Sequence, residues 1–410
     1  MPVIRVLWFT NIIFDESDGD TTGTWLTTMA KSLHNVGNFT LGNVCYSSSH
    51  EVNSTSYISQ WILSRSKAFF ISNNSRIKEI EKIVTEFKPD IIHIWGTESD
   101  WGLNLMHLRN LPPVLLSIQG ISRSIYNNFY GGLTRGEIFR TIRLKEVLKL
   151  NPIFIQKWRF KRWQEKEKII IKNYYNICTQ SDSSRAIIVS MNPNANLYHN
   201  DIVLRNVFYK TKGWNLTTAK RFSILFASAY PAPFKGLDFA LKVVAKLKPI
   251  FPKIELRIAG WQPLGGVRQD GYIGYILGLI PKLGLNNDNV TWLGALDSVK
   301  LEAEMRHSSV FLTTSYVESY CVTLAEAMCV GIPSVASFVG GMTSLGVHEE
   351  SLLYYPVNDI DFCVFQLHRI LSDDTLALKL SSFARSQSNS KSCKDRIVQN
   401  QIDIYNSILD

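Results

Sequence analysis

The amino-acid sequence predicts an α/β fold in two similar halves, each a mostly parallel sheet with helices on both faces, facing each other across a cleft. Three observations lead there. At 410 residues the chain exceeds the ~250 to 300 at which one core usually divides. Short apolar strands alternate with helical patterns along its length, the mark of parallel strands joined by helical crossovers. The alternation pauses once, over 208–220 with its Lys210-Thr-Lys-Gly-Trp-Asn215 run, and then resumes.

In the first half, Val3–Phe9 reads as a strand, followed by a polar loop to Gly23 and a helix through Trp25, Leu26, Met29, Ala30 and Leu33. A helix over Ile77–Phe87 stops before Pro89, and strands follow at Asp90–Trp95, ending on Gly96, and at Val114–Ile118, ending on Gln119-Gly120. After a basic segment, Tyr175–Thr179 and Asp201–Leu204 read as two more strands. In the second half the strands are Arg221–Ala227, Ile254–Ala259, Val290–Leu293, Val310–Thr313 and Ser334–Ser337, with helices at Leu237–Leu247, at Val299–Arg306 and from Thr323. Residues 261–289 read as a Gly-rich loop with one short helix near Ile273–Ile280. Beyond Leu352–Tyr355 the chain is helical, and a final helix around Asp395–Leu409 is expected to pack back on the first half. In such sheets ligands collect beyond the carboxyl ends of the strands, where Gly23, Gly96 and Gln119 fall.

Composition narrows the function classes. Hydrophobic residues make up 45% and charged residues 19% of the chain, values of a folded globular protein. Six scattered cysteines show no paired metal-ligand spacing, which fits a reducing compartment. Met1–Phe9 lacks the apolar run of a signal peptide, so a cytoplasmic location is expected. The uncharged stretch Ala327–Val347 contains Gly331, Pro333, Gly340, Gly341 and Gly346, which suits a helix end, strand and turn and not a membrane span. Net charge is +9, and Arg135–Lys172 holds twelve Lys or Arg against four Glu, interspersed with Phe139, Ile142, Leu144, Leu148, Ile153, Phe154, Trp158, Phe160 and Trp163. Two readings stand for that segment: a solvated helical face with its apolar residues packed inward, or contact with an anionic bilayer or phosphate-bearing acceptor. No nucleic-acid motif accompanies the charge.

The richest stretch is Glu318-Ser-Tyr-Cys-Val-Thr-Leu-Ala-Glu326, a loop after an apolar strand that opens a helix. Glu318 stands where such a domain exposes its ligand side. Thr323 and Glu326 have capping-box spacing, with Thr323 as N-cap, and the Glu326 carboxylate also suits a ribose diol. Backbone N–H groups over Tyr320, Cys321, Val322, Thr323 and Leu324 can receive a phosphate. Lys235-Gly236 follows Pro231 and Pro233, and the ammonium offers a counter-charge for a departing diphosphate. Gly340-Gly341 and Gly23-Thr24 allow close backbone approach to a sugar or phosphate. His93 sits inside a strand, where a structural histidine and a sugar contact both remain open. Asp18-Gly-Asp20 resembles a metal-holding pair, but it lies in an acidic loop without strand context, and no metal is expected. No phosphate-binding Gly-x-x-x-x-Gly-Lys-Ser/Thr loop is present, nor does Gly-x-Gly-x-x-Gly follow the first strand.

Together these residues resemble the retaining nucleotide-sugar glycosyltransferases of family four, which have the GT-B fold of two facing Rossmann-like domains. The resemblance spans the chain and is strongest over Phe222–Tyr355. It implies an acceptor-binding domain over 1–207, a nucleotide-sugar-binding domain over 208–385, and a helix over 386–410 returning to the first domain. It further implies that Glu318 contacts the donor sugar, Glu326 holds the ribose, and Lys235-Gly236 lies beside the diphosphate, with Gly23-Thr24 lining the first-domain loop. Two positions depart from the family pattern. Tyr230 stands where an arginine is usual, and Gln119-Gly120 stands where a histidine often lies near the reacting sugar; glutamine hydrogen-bonds a hydroxyl but shuttles no proton. The resemblance implies transfer of a sugar from a UDP- or GDP-sugar, with no tightly bound cofactor, to a saccharide or lipid-linked acceptor hydroxyl in cell-surface polysaccharide or glycolipid synthesis. The acceptor proton would pass to a donor phosphate oxygen. A nucleotide-sugar epimerase of the same form and a binding-only protein are the alternatives.

Overall fold

The computed structural model describes residues 3–16, 25–47, 54–64, 73–229, 231–264 and 270–410. Contacts divide them into two compact units, the first from 1–122, 163–206 and 393–410, the second from 123–162 and 207–392.

The first unit is built on a seven-stranded parallel sheet, β1 (Ile4–Phe9), β2 (Phe39–Ser47), β3 (Ser59–Ser64), β4 (Ile91–Trp95), β5 (Val114–Ser117), β6 (Asn176–Thr179) and β7 (Asn196–His199), in the order β3-β2-β1-β4-β5-β6-β7. β4 is buried along its whole length, as a parallel strand covered on both faces must be, which is why Ile-Ile-His-Ile-Trp shows no polar alternation. The expected strand at Asp201–Leu204 is irregular buried chain, and the edge strand is instead Asn196–His199.

His93 is fully buried and does not reach a ligand surface, which corrects its reading as a sugar contact. Its Nδ1 lies 2.7 Å from the Tyr405 hydroxyl and its Nε2 2.7 Å from Ser117 Oγ. The Tyr405 hydroxyl also accepts from Trp8 Nε1 at 3.1 Å. One assignment satisfies all three groups: Tyr405 donates to Nδ1, and the neutral ring donates from Nε2 to Ser117. Desolvation holds the imidazole pKa well below 6.5. Tyr405 lies in the final helix, Lys394–Leu409, so this network ties the chain's last element to β1, β4 and β5.

The second unit has a six-stranded parallel sheet, β8 (Lys220–Ala227), β9 (Glu255–Ala259), β10 (Val290–Gly294), β11 (Ser308–Thr313), β12 (Ser334–Ser337) and β13 (Leu353–Tyr355), ordered β10-β9-β8-β11-β12-β13. The linker expected before β8 is packed, since Trp214 is buried and its Nε1 donates to Ser308 O at 2.8 Å.

The expected 1–207 domain is corrected at one segment, because residues 123–162 belong to the second unit. Packing and polar anchors explain the transfer. Phe129 and Ile153 cluster with Ala232 and Phe234. Tyr275 and Lys242 donate to Glu137 Oε1 at 2.7 and 3.1 Å, and Gly271 N donates to Glu146 Oε1 at 2.7 Å. Burial works against the Glu137 carboxylate, but hydrogen bonds from Tyr275, Thr134 and Lys242 outweigh it and lower its pKa to about 2.

Tyr405→Phe removes one hydroxyl that serves two buried partners. A loss of about 1 to 3 kcal/mol in urea denaturation is expected. Because the native state keeps His93 unprotonated, stability falls as pH drops below 6.5; His93→Gln should flatten that slope.

Candidate functional site

In the second sheet the chain runs from β8 outward to β10 and then returns to the other side of β8 with β11. The carboxyl ends of β8 and β11 therefore flank the switch point of this sheet, the position at which ligands commonly bind in such folds. Lys235 follows β8 and Glu318 follows β11. Their side chains meet there, Lys235 Nζ to Glu318 Oε1 at 2.5 Å. Ser315 Oγ donates to the same oxygen at 2.7 Å, while Glu318 Oε2 has no partner among the described residues. Burial disfavours the Lys235 ammonium, yet the Glu318 carboxylate prevails and raises its pKa.

The two loops are bonded to each other. After β8 a single 3-10 turn, Pro233–Lys235, ends at Gly236 with φ +72°, a left-handed conformation natural to glycine. Thr314 Oγ1 lies 2.9 Å from Lys235 O and 2.8 Å from Gly236 O, and Tyr316 N donates to Phe234 O at 2.8 Å. A Cβ on Gly236 would come within 2.3 Å of Thr314 O, so only glycine lets these loops close. The loop after β12 joins the same assembly, with Ser337 Oγ donating to Ser315 O at 2.6 Å and Gly341 N to Glu318 O at 2.9 Å.

The Gly340-Gly341 pair thus has a structural use that differs from the expected one. Its Gly341 N–H is spent on the Glu318 carbonyl and is not presented to a ligand. Added Cβ atoms at 340 and 341 would meet Glu318 O and Ser319 O at 2.0 and 1.9 Å. The two glycines let this loop seat on the backbone of the Glu318 loop.

The following helix runs Val322–Val330, and its N-cap is Cys321 in the left-handed region at φ 80°, with no side-chain cap. Thr323 lies inside the helix, so the expected capping box with Glu326 does not form. Leu324 N and Ala325 N both donate to Cys321 O, at 3.1 and 3.2 Å. The Val322 and Thr323 amides have no acceptor among the described residues and remain for an anion at the positive end of the helix. Tyr320 is buried, and burial followed by the Glu318 charge pushes the Cys321 thiol up to about 12, so it stays protonated. Glu326 is fully enclosed in the helix interior.

In the first unit Gln119 and Gly120 follow β5 and are half-buried. Beside them stands a residue that sequence reading missed. Glu98 follows β4, one of the two strands flanking that sheet's switch point, and its carboxylate lies over Gly96 and Gly120, where added Cβ atoms would come within 2.1 and 2.5 Å of it. Gly96 has φ +95°. Glu98 is exposed as a whole residue, but desolvation where its carboxylate packs over the two glycines, reinforced by the Glu167 carboxylate, raises its pKa against hydrogen bonds from nearby backbone amides. Glu167 is buried behind it, accepting from Thr97 Oγ1 at 2.8 Å and Ser122 N at 2.9 Å. The available signal was an acidic residue two places after the Gly96 that ends a buried strand. Gly23, Thr24, Tyr230 and the Asp18-Gly-Asp20 loop lie outside the described residues. Among the described residues no group of three His, Cys, Asp or Glu could hold a metal ion.

Residues 214–387, less than half of the chain and wholly within the second unit, match the family model described as Glycosyl transferases group 1. A phosphatidyl-myo-inositol mannosyltransferase of Mycolicibacterium smegmatis is 28% identical over 155 residues, covering 38% of this chain and 37% of that protein. The chain thus spans little more than a third of that relative's length. Among solved structures, a sucrose-phosphate synthase from Thermosynechococcus elongatus superimposes with a TM-score of 0.77 at 15% identity, covering 99% of each chain. The Anabaena protein HepE, solved with UDP and glucose, superimposes with a TM-score of 0.68 at 14% identity over 98% of this chain and 100% of that one. These likenesses establish the fold, two parallel-sheet Rossmann-like domains.

Gly341→Ala is expected to destabilise the second unit by about 2 kcal/mol or more in thermal or urea unfolding, because Ser319 O is backbone and cannot step aside. Gly278→Ala, in a helix with nothing within 4 Å of the added atom, should be neutral or stabilise by up to about 1 kcal/mol.

Proposed function

We propose that this protein transfers a glycosyl unit from a nucleotide diphosphate sugar to an acceptor hydroxyl, with retention at the anomeric carbon. The observation that carries the reading is the Lys235–Glu318 pair at the switch point of the second sheet, beside the open Val322 and Thr323 amides. An ammonium held by one carboxylate oxygen can turn to a diphosphate when one arrives, and the freed carboxylate can then accept hydroxyl hydrogen bonds from the donor sugar. Positive charge from Lys235 and from the helix N-terminus favours the transition state, in which charge builds on the departing diphosphate. Glu326, buried in the same helix, is assigned to the ribose diol.

The UDP and glucose bound by the Anabaena neighbour support a nucleotide diphosphate donor, UDP- or GDP-linked. The name of the mycobacterial relative supports a lipid-linked acceptor, and we place the protein in cell-surface polysaccharide or glycolipid synthesis at the cytoplasmic side of a membrane. The acceptor hydroxyl groups are held in the first unit by Gln119 and Glu98. The acceptor proton leaves to a donor phosphate oxygen, because no described residue near Glu318 is a better base: the Cys321 thiol and the Lys235 ammonium both hold their protons.

Lys235→Ala and Glu318→Gln should each lower turnover about 10²- to 10³-fold. The assay is nucleotide release from UDP- and GDP-sugars, with and without saccharide acceptors, and thermal unfolding confirms that the variants fold. Unchanged turnover in either variant overturns the assigned roles, and a product altered only in the donor sugar would identify an epimerase.

A further inference from the structure

Five large apolar side chains are more than 70% exposed among the described residues, and four of them, Phe139, Leu144, Leu148 and Leu150, lie within twelve positions. Val147, Phe154 and Trp158 extend the same segment at 46 to 50% exposure. This is an exposed apolar patch of the kind that marks an interaction surface.

Its construction is inverted relative to a water-facing helix. Helix Leu144–Leu148 turns Leu144 and Leu148, four residues apart on one face, outward, and turns Glu146 inward to accept the Gly271 amide. Arg135–Arg162 contains nine Lys or Arg and only two acids, Glu137 and Glu146. Both acids are spent inside the second unit, Glu137 on Tyr275 and Lys242, Glu146 on Gly271. The exposed Arg140, Lys149, Arg159, Lys161 and Arg162 have no carboxylate partner among the described residues. The segment thus combines exposed apolar side chains with exposed cations that have no carboxylate partner among the described residues. Neither inward packing of the whole segment nor a simple solvated face describes that pattern.

We infer that Phe139–Arg162 is a membrane-docking face that lays Phe139, Leu144, Leu148, Leu150 and Trp158 into the interface of an anionic bilayer. The charge complementarity singles out this occupant: apolar burial supplies adhesion, and cations with no carboxylate partner among the described residues supply attraction to acidic headgroups. A protein partner would leave the same patch to be covered by an unknown surface, whereas the bilayer meets both halves of its chemistry. Glu137 and Glu146 fix the face rigidly to the second unit. Among the described residues no helix is long and apolar enough to cross a membrane, so the contact is peripheral. This inference does not depend on the glycosyl-transfer reading, and its test needs no substrate.

The test is sedimentation of the full chain with phosphatidylcholine vesicles and with phosphatidylcholine vesicles containing phosphatidylglycerol. Binding is expected to the anionic vesicles, weaker at high salt, and little to the neutral ones. The triple variant Leu144→Ser, Leu148→Ser, Leu150→Ser should lose binding by about tenfold or more. The double variant Lys149→Glu, Arg162→Glu should lose it too, with thermal unfolding of both variants like that of the parent. Binding that ignores headgroup charge, absence of binding by the parent chain, or a triple variant that binds as the parent does would overturn the inference. So would light scattering in which the parent self-associates and the triple variant is monomeric, which would make the patch an interface between copies.

Discussion

The hydrogen-bonded junction between the turn after β8 and the loop after β11 is the constraint on which the site depends. Thr314 bonds the carbonyls of Lys235 and Gly236, and Tyr316 bonds the carbonyl of Phe234. With those bonds made, two side chains eighty-three residues apart in sequence are brought to 2.5 Å. The loop after β12 then closes on the Glu318 backbone through Gly341. Each approach is backbone against backbone, so glycine is required at 236, 340 and 341 for reasons of space before any question of ligand arises.

The ion pair set on that frame adds little to stability. A partly buried ion pair is weak evidence of stabilisation, because desolvation cancels much of its attraction. Lys235 and Ser315 both bond Glu318 Oε1, and Oε2 has no partner among the described residues. The first unit repeats the device in a different form. There Glu98 lies over Gly96 and Gly120 at strand ends beside the switch point, backed by a buried Glu167 that holds the two loops together.

Much of this was legible in the residues, and the failures have local causes. Buried parallel strands such as β1, β4, β8 and β11 are short continuous apolar runs, so they stand out. β2 did not, because Gly42 and Asn43 interrupt it: Leu7 and Phe87 press where a Cβ on Gly42 would sit, and buried Asn43 is satisfied by Thr10 and Gln60. β3, with Ser and Gln at its start, was hidden in the same way. Thr323 and Glu326 have the spacing of a capping box, but Cys321 enters the helix from a left-handed conformation, and a spacing rule cannot sense that shift. Segment 123–162 precedes β6 of the first sheet, yet it packs with the second unit because its anchors, Ala232, Phe234, Gly271 and Tyr275, lie more than seventy residues ahead.

By itself the sequence determined what local rules encode: two runs of alternating strand and helix, glycines and prolines at the turns, and acids and a lysine placed just after buried strands. These follow from burial and backbone geometry over a few residues. Only the tertiary structure decided which of those groups meet, that His93 is enclosed while Glu98 lies open at its strand end, that Glu137 and Glu146 face inward, and that Leu144 and Leu148 face water. Such outcomes depend on contacts between residues far apart in the chain, whose pairing no local pattern records.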